Sequence, residues 1–160
     1  MAFQPIPIFQ VLTDHGVRFL VIGGIASSAH GSPSVTNDVD ICYDRRPDNL
    51  ERLAAALREL EAKLRGVPED VPFILDARSL AAGDHFTFTT VFGPLDCLGT
   101  PAGSGGYDAL AANAQSIDIG VMVAVASLDD LMAMKRAAGR PKDRVELEIL
   151  GALRDELESR

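Results

Sequence analysis

The sequence predicts an α/β (α+β) fold, a mixed β-sheet flanked by helices, formed as a single domain over residues 1–160. Three observations lead there. Hydrophobic residues make up 47% of the chain and charged residues 24%, the balance of a globular chain with a buried core. Short runs of apolar and β-branched residues alternate with segments of helical spacing. No repeat, low-complexity tract or shift in composition divides the chain, which at 160 residues can bury a core without staples.

Taken in order, Pro7 to His15 has helical spacing and stops at Gly16. Val17 to Ile22 is an apolar run with the character of a buried strand, ending in Gly23-Gly24. Ile25 to His30 is rich in small, helix-compatible residues, and Gly31-Ser32-Pro33-Ser34 breaks that element. Asp38 to Tyr43 reads as a strand with alternating faces. Leu53, Leu57, Leu60 and Leu64 mark an amphipathic helix over Asn49 to Arg65, whereas Val71 to Leu80 fits strand or loop. His85 to Phe92, a turn at Gly93-Pro94, and Leu95 to Leu98 form an expected hairpin. Thr100 to Gly106, with three glycines, is a loop, and Tyr107 to Asn113 a short helix. Ser116 to Ile119 and Val121 to Ala126 form two strands around Gly120. Ser127 to Asp130 is a capping box for a helix running to Ala138, and Pro141 opens a last helix. Met122, Met132 and Met134 are expected in the core.

Composition excludes several function classes. Cys42 and Cys97 are too few for a disulfide framework and are expected as reduced cysteines in core strands. A net charge of −8 argues against general nucleic-acid binding, which needs clustered cations. No apolar run spans a bilayer and the first residues lack a signal peptide's basic start, so the expected place is the cytoplasm, with no membrane partner. His15, His30 and His85 have no ligand spacing.

The chemistry concentrates in one stretch: strand, Gly23-Gly24, short helix, then Asp38-Val39-Asp40 opening the next strand. Period two puts Asp38 and Asp40 on one face, where two carboxylates repel unless a divalent cation joins them. A glycine pair at a strand-to-helix junction permits close approach to a phosphate. Asp96, in the apolar run Leu95 to Leu98, is the candidate third carboxylate and proton acceptor, with Asp76 and Asp84 as rivals.

The run of two glycines, thirteen residues and Asp-Val-Asp resembles the signature of the DNA polymerase beta-like nucleotidyltransferase superfamily. The stretch from Phe19 to Tyr43, with Thr36-Asn37-Asp38-Val39-Asp40, looks most like small bacterial AbiEii-type toxin nucleotidyltransferases. The segment from Ser127 to Leu150, with Lys135, Arg140 and Lys142-Asp143, is similar to the same group. The resemblance implies two Mg²⁺ ions, with Mn²⁺ as the alternative, on Asp38, Asp40 and Asp96. It also implies an NTP triphosphate beside Gly23, Gly24 and Thr36, neutralised by Lys135 and helped by Arg140 or Lys142. The chain departs from the pattern at Gly24, often Ser, and at Glu146, usually Asp.

Each of these features has a plainer reading. Asp38 and Asp40 can be a solvated strand end, and Lys135, Arg136, Arg140 and Lys142 cations near helix ends. Two functions therefore follow from the sequence. The first is an enzyme transferring an NMP from an NTP to a tRNA, a protein or a small molecule, in a toxin–antitoxin or phage-defence setting, with a partner protein or a homo-oligomer helping to hold the acceptor. The second is a catalytically degenerate module that binds nucleotide or a partner without turnover. Three mutually repelling carboxylates favour the first.

Overall fold

The computed structural model of the chain describes residues 2–160. In chain order the elements are α1 (Pro5–Asp14), β1 (Phe19–Ile22), α2 (Gly23–Ala29), β2 (Val39–Tyr43), α3 (Pro47–Glu59), β3 (Lys63–Leu64), α4 (Ala77–Ala82), β4 (His85–Thr90), β5 (Gly93–Leu98), α5 (Tyr107–Ala111), β6 (Gln115–Asp118), β7 (Met122–Val125), α6 (Leu128–Ala138) and α7 (Pro141–Glu158). The strands form one seven-stranded sheet in the order β3-β4-β5-β2-β1-β7-β6. β1 pairs parallel with β7 and β2 parallel with β5, while β1–β2, β3–β4, β4–β5 and β6–β7 are antiparallel. The sheet is mixed, as expected.

β1 is buried at all four positions, which is why it reads as a continuous apolar run instead of an alternating one. Around it pack two helix groups, α1 with α3 and α4, and α2 with α6 and α7. Phe9, Leu12, Leu20, Ile41, Leu53 and Leu57 are fully buried between them and the sheet. Each such side chain contributes about 1.5–3 kcal/mol of burial. Cys42 and Cys97 are buried and free. Ser127 caps α6 by accepting from Asp130 N at 3.1 Å, and Gly139, left-handed at φ 63°, ends it. Among the described residues no helix is long and apolar enough to cross a membrane.

Four sequence expectations are corrected. The helix expected to reach Arg65 ends at Glu59: Glu61 turns left-handed (φ 52°), Ala62 N bonds Leu57 O, and Lys63–Leu64 leaves as strand β3. The ambiguous stretch 71–80 contains the start of helix α4, capped by Asp76, whose Oδ1 accepts from Ser79 N at 2.8 Å. The hairpin turn lies at Val91-Phe92, not at Gly93-Pro94, because the Thr90 hydroxyl bonds Gly93 O and Phe92 N and closes the turn one step earlier. Met122 starts β7 with its side chain 59% exposed, since alternation along that strand buries Val123 and Val125 instead.

Candidate active site

The sheet builds one wall of the site. β2 and β5 run parallel with Asp40 opposite Asp96, so both carboxylates leave the same face, and Asp38 joins them two residues before Asp40. One oxygen from each of the three lies within 4.8 Å of the others. Burial, and after it the charges of Asp38 and Asp96, push the Asp40 carboxyl up to about 7, against the opposing influence of Lys135. Thr36 donates its hydroxyl to Asp38 Oδ1 at 3.0 Å. Among the described residues neither Asp38 nor Asp40 forms an ion pair, whereas Asp96 Oδ1 accepts from Arg65 Nη2 at 2.5 Å.

The glycine pair answers to this wall. Gly23 has φ +71°, and a Cβ there would fall on the Asp40 carboxylate. A Cβ at Gly24 would stand 2.7 Å from the Thr36 Cβ. Whatever else approaches these glycines, their own chain already requires them.

The helices build the opposite wall. Asp143, at the start of α7, is fully buried. It accepts from Arg140 N at 3.1 Å and Arg140 Nε at 2.6 Å, and Lys135 Nζ of α6 lies 3.5 Å away. The Arg140 hydrogen bond, aided by the Lys135 charge, holds the Asp143 carboxyl at about 2. Glu146, one turn further, accepts from Ser32 Oγ at 3.0 Å and Ser34 Oγ at 2.8 Å, tying the loop before β2 to α7.

Between the walls lies a cleft of about 740 Å³, lined by all eight residues singled out in the sequence: Gly23, Gly24, Thr36, Asp38, Asp40, Asp96, Lys135 and Arg140. Lys142 lines it too. Of the rivals for the third carboxylate, Asp84 also lines the cleft but stands outside the acidic trio, and Asp76 does not line it. Asp76 is a helix cap, and Asp84 accepts from Thr100 N and pairs with Arg45. Of the histidines, His85 reaches the cleft, His30 donates to Ala126 O and His15 pairs with Glu59. The sequence reading missed Arg65, placed inside a helix that ends earlier, and it missed Asp143 as organiser of Lys135 and Arg140. Asp143 lies three residues after Arg140, the spacing of a capping box, and that was the available signal.

The donor set suits a hard divalent cation. Three carboxylates converge, two of them without a cationic partner, and oxygen ligands of this kind favour hard divalent cations over softer metals.

The fold has parallels among solved structures. The lincosamide antibiotic adenylyltransferase LnuA, with lincomycin bound, matches at TM-score 0.64 and 10% identity, over 96% of this chain and 99% of that one. The antibiotic-resistance factor ANT(2'')-Ia matches at TM-score 0.54 and 15% identity, over 95% of this chain and 88% of its own. The complex of ANT(2'')-Ia with adenylyl-2''-tobramycin matches at TM-score 0.53 and 13% identity, over 95% and 93%. At such identities the shared property is the fold, and it is the fold these nucleotidyltransferases use. No protein-family model matches the chain, and no curated protein does.

Proposed function

We propose that the chain is a metal-dependent nucleotidyltransferase that moves a nucleoside monophosphate from an NTP to a hydroxyl of a small-molecule acceptor. One observation carries the reading: three carboxylates within 4.8 Å of one another face Lys135 and Arg140 across a single cleft. Asp38, Asp40 and Asp96 would hold Mg²⁺ or Mn²⁺, which when bound lowers the pKa of the attacking hydroxyl and offsets triphosphate charge. The triphosphate lies along Gly23, Gly24 and Thr36, with Lys135 and the solvent-facing side of Arg140 supplying positive charge. The acceptor oxygen bonds to the α-phosphorus as the bond from that phosphorus to the bridging oxygen breaks, and pyrophosphate leaves with the electron pair. Asp96 takes the acceptor's proton. Val35, 91% exposed, together with Leu98, Pro101 and Met134, offers apolar surface for a base or an acceptor.

The small-molecule class is supported by LnuA and ANT(2'')-Ia, whose structures hold lincomycin and adenylyl-2''-tobramycin and which this chain matches over most of their length. A second reading, a toxin–antitoxin enzyme modifying tRNA or protein, is favoured by the AbiEii-like order of Lys135, Arg140 and Lys142-Asp143.

The test is calorimetric titration of ATP, with and without Mg²⁺, into the wild type and the Asp38→Asn/Asp40→Asn variant. Metal-dependent binding that disappears in the variant supports the reading and justifies an acceptor screen with labelled NTPs. A folded wild type that binds no NTP points instead to a degenerate module.

A further inference from the structure

Asp96 differs from its two acidic neighbours in already having a cation. The cause is sheet register. Asp40 pairs with Asp96 across β2–β5, and Asp96 with Thr87 across β5–β4. Lys63 pairs with Thr89 and Leu64 with Phe88 across β4–β3, and Arg65 N continues that ladder by donating to Thr87 O at 2.9 Å. Cross-strand partners point to the same face, so Arg65, Thr87, Asp96 and Asp40 form one row across four strands. The early end of α3 and the left-handed Glu61 deliver Arg65 to the head of this row.

We propose that Arg65 is a positioning residue of the site: acting through Asp96, it holds the third carboxylate in place without metal and competes with the divalent cation for it. The inference rests on the metal-site reading above. Arg65 donates to Asp96 Oδ1, and a cation shared by the acidic trio draws on the same carboxylate. Guanidinium and cation repel at that range, so metal loading weakens the Arg65 bond or displaces it. Displacement is cheap, because the Arg65 side chain is 37% exposed and can swing into water. Arg65 therefore lowers metal affinity while keeping the metal-free trio from spreading. Asp38 and Asp40, lacking such a partner, bear the larger share of the attraction for metal.

The probe is Mn²⁺ alone, titrated into the full chain and followed by the loss of the free-ion electron paramagnetic resonance signal, with Tm measured alongside. Arg65→Gln removes the competing charge, and its Mn²⁺ affinity should rise roughly three- to tenfold. Arg65→Lys keeps the charge and should bind as the wild type does. Arg65→Met retains the apolar stem and carries the same expectation if the Gln variant fails to fold. A lower metal-free Tm in these variants follows on either account, so the affinity decides: a merely structural arginine gives weaker Mn²⁺ binding in Arg65→Gln or Arg65→Met. That result, or affinity equal to wild type, overturns the proposal and leaves the metal site standing. A wild type that does not bind Mn²⁺ overturns both the metal site and the role of Arg65.

Discussion

On the sheet wall, Asp38, Asp40 and Asp96 crowd within 4.8 Å of one another, and Arg65 on Asp96 is the one cation paired with the trio among the described residues. Across the cleft Asp143 is more deeply buried than any of them, yet Arg140 and Lys135 satisfy its carboxylate. On the sheet wall burial, and after it the neighbouring acids, pushes a carboxyl up, to about 7 at Asp40; on the helix wall the Arg140 hydrogen bond pulls one down, to about 2 at Asp143. A chain gains nothing in folding from gathering repelling acids, so the sheet wall is the part whose cost a ligand must offset. The helix wall is self-contained, and its acid arranges cations that the cleft can use.

The largest expected effect breaks the sheet wall. Asp38→Asn/Asp40→Asn should lower metal-dependent ATP affinity at least about a hundredfold, since the remaining acid cannot hold the cation alone. Thermal unfolding of the metal-free variant should nonetheless match or exceed the wild type. A large fall in Tm would mean the two acids are structural and would erase the contrast between the walls.

Next in size is a backbone comparison. Gly23→Ala puts a methyl group on the Asp40 carboxylate at φ +71°, and should cost about 2–4 kcal/mol in denaturant unfolding. Gly139→Ala, at φ +63° with its nearest neighbour 3.7 Å away, should cost only about 1 kcal/mol. Equal costs would show that left-handed conformation alone, without the carboxylate, sets the need for glycine at position 23.

Asp143→Ala then tests the helix wall. Removing the acid leaves Lys135 without its partner and Arg140 N uncapped, for a loss of about 2 kcal/mol once the exposure of Arg140 is allowed for. That corresponds to a Tm lower by about 4–8 °C for a chain of this size. ATP affinity should fall less than in the sheet-wall variant, because both cations remain. Loss of ATP binding equal to that variant would make the two walls one functional unit.

The acids of the sheet wall are legible in the sequence, for a definite reason. Asp38 and Asp40 share a face through strand period alone, and an acid in the apolar run Leu95 to Leu98 needs an explanation wherever it lies. Local rules also find the capped start of α6 and its glycine stop. The parallel register that sets Asp96 against Asp40 is a long-range fact, and only the motif's order hinted at it. Arg65 was hidden because Leu64 continued the helical stripe of Leu53, Leu57 and Leu60, although the helix ends at Glu59 and Leu64 packs as a strand residue. Asp143 reads in the sequence only as part of a charged motif, since nothing in its neighbours shows that it is fully buried.

The last comparison separates the walls by pH. The Asp40 carboxyl in the folded chain sits near 7, above the ordinary value of about 4 that it has unfolded. Its contribution is therefore fully favourable below about pH 4 and is lost as pH rises through about 7. Asp143, held near 2, behaves in the opposite sense: its contribution is present above about pH 4 and is lost as pH falls towards 2. In EDTA, Asp40→Asn should unfold close to wild type at about pH 4 and exceed it in Tm by about pH 8. Saturating Mg²⁺ should reverse the order at the higher pH, because only the wild type keeps the full acidic trio. An Asp40→Asn variant less stable than wild type throughout, metal or none, would mean that the Asp40 carboxylate is already paid for by a partner inside the fold, and the asymmetry between the two walls would go with it.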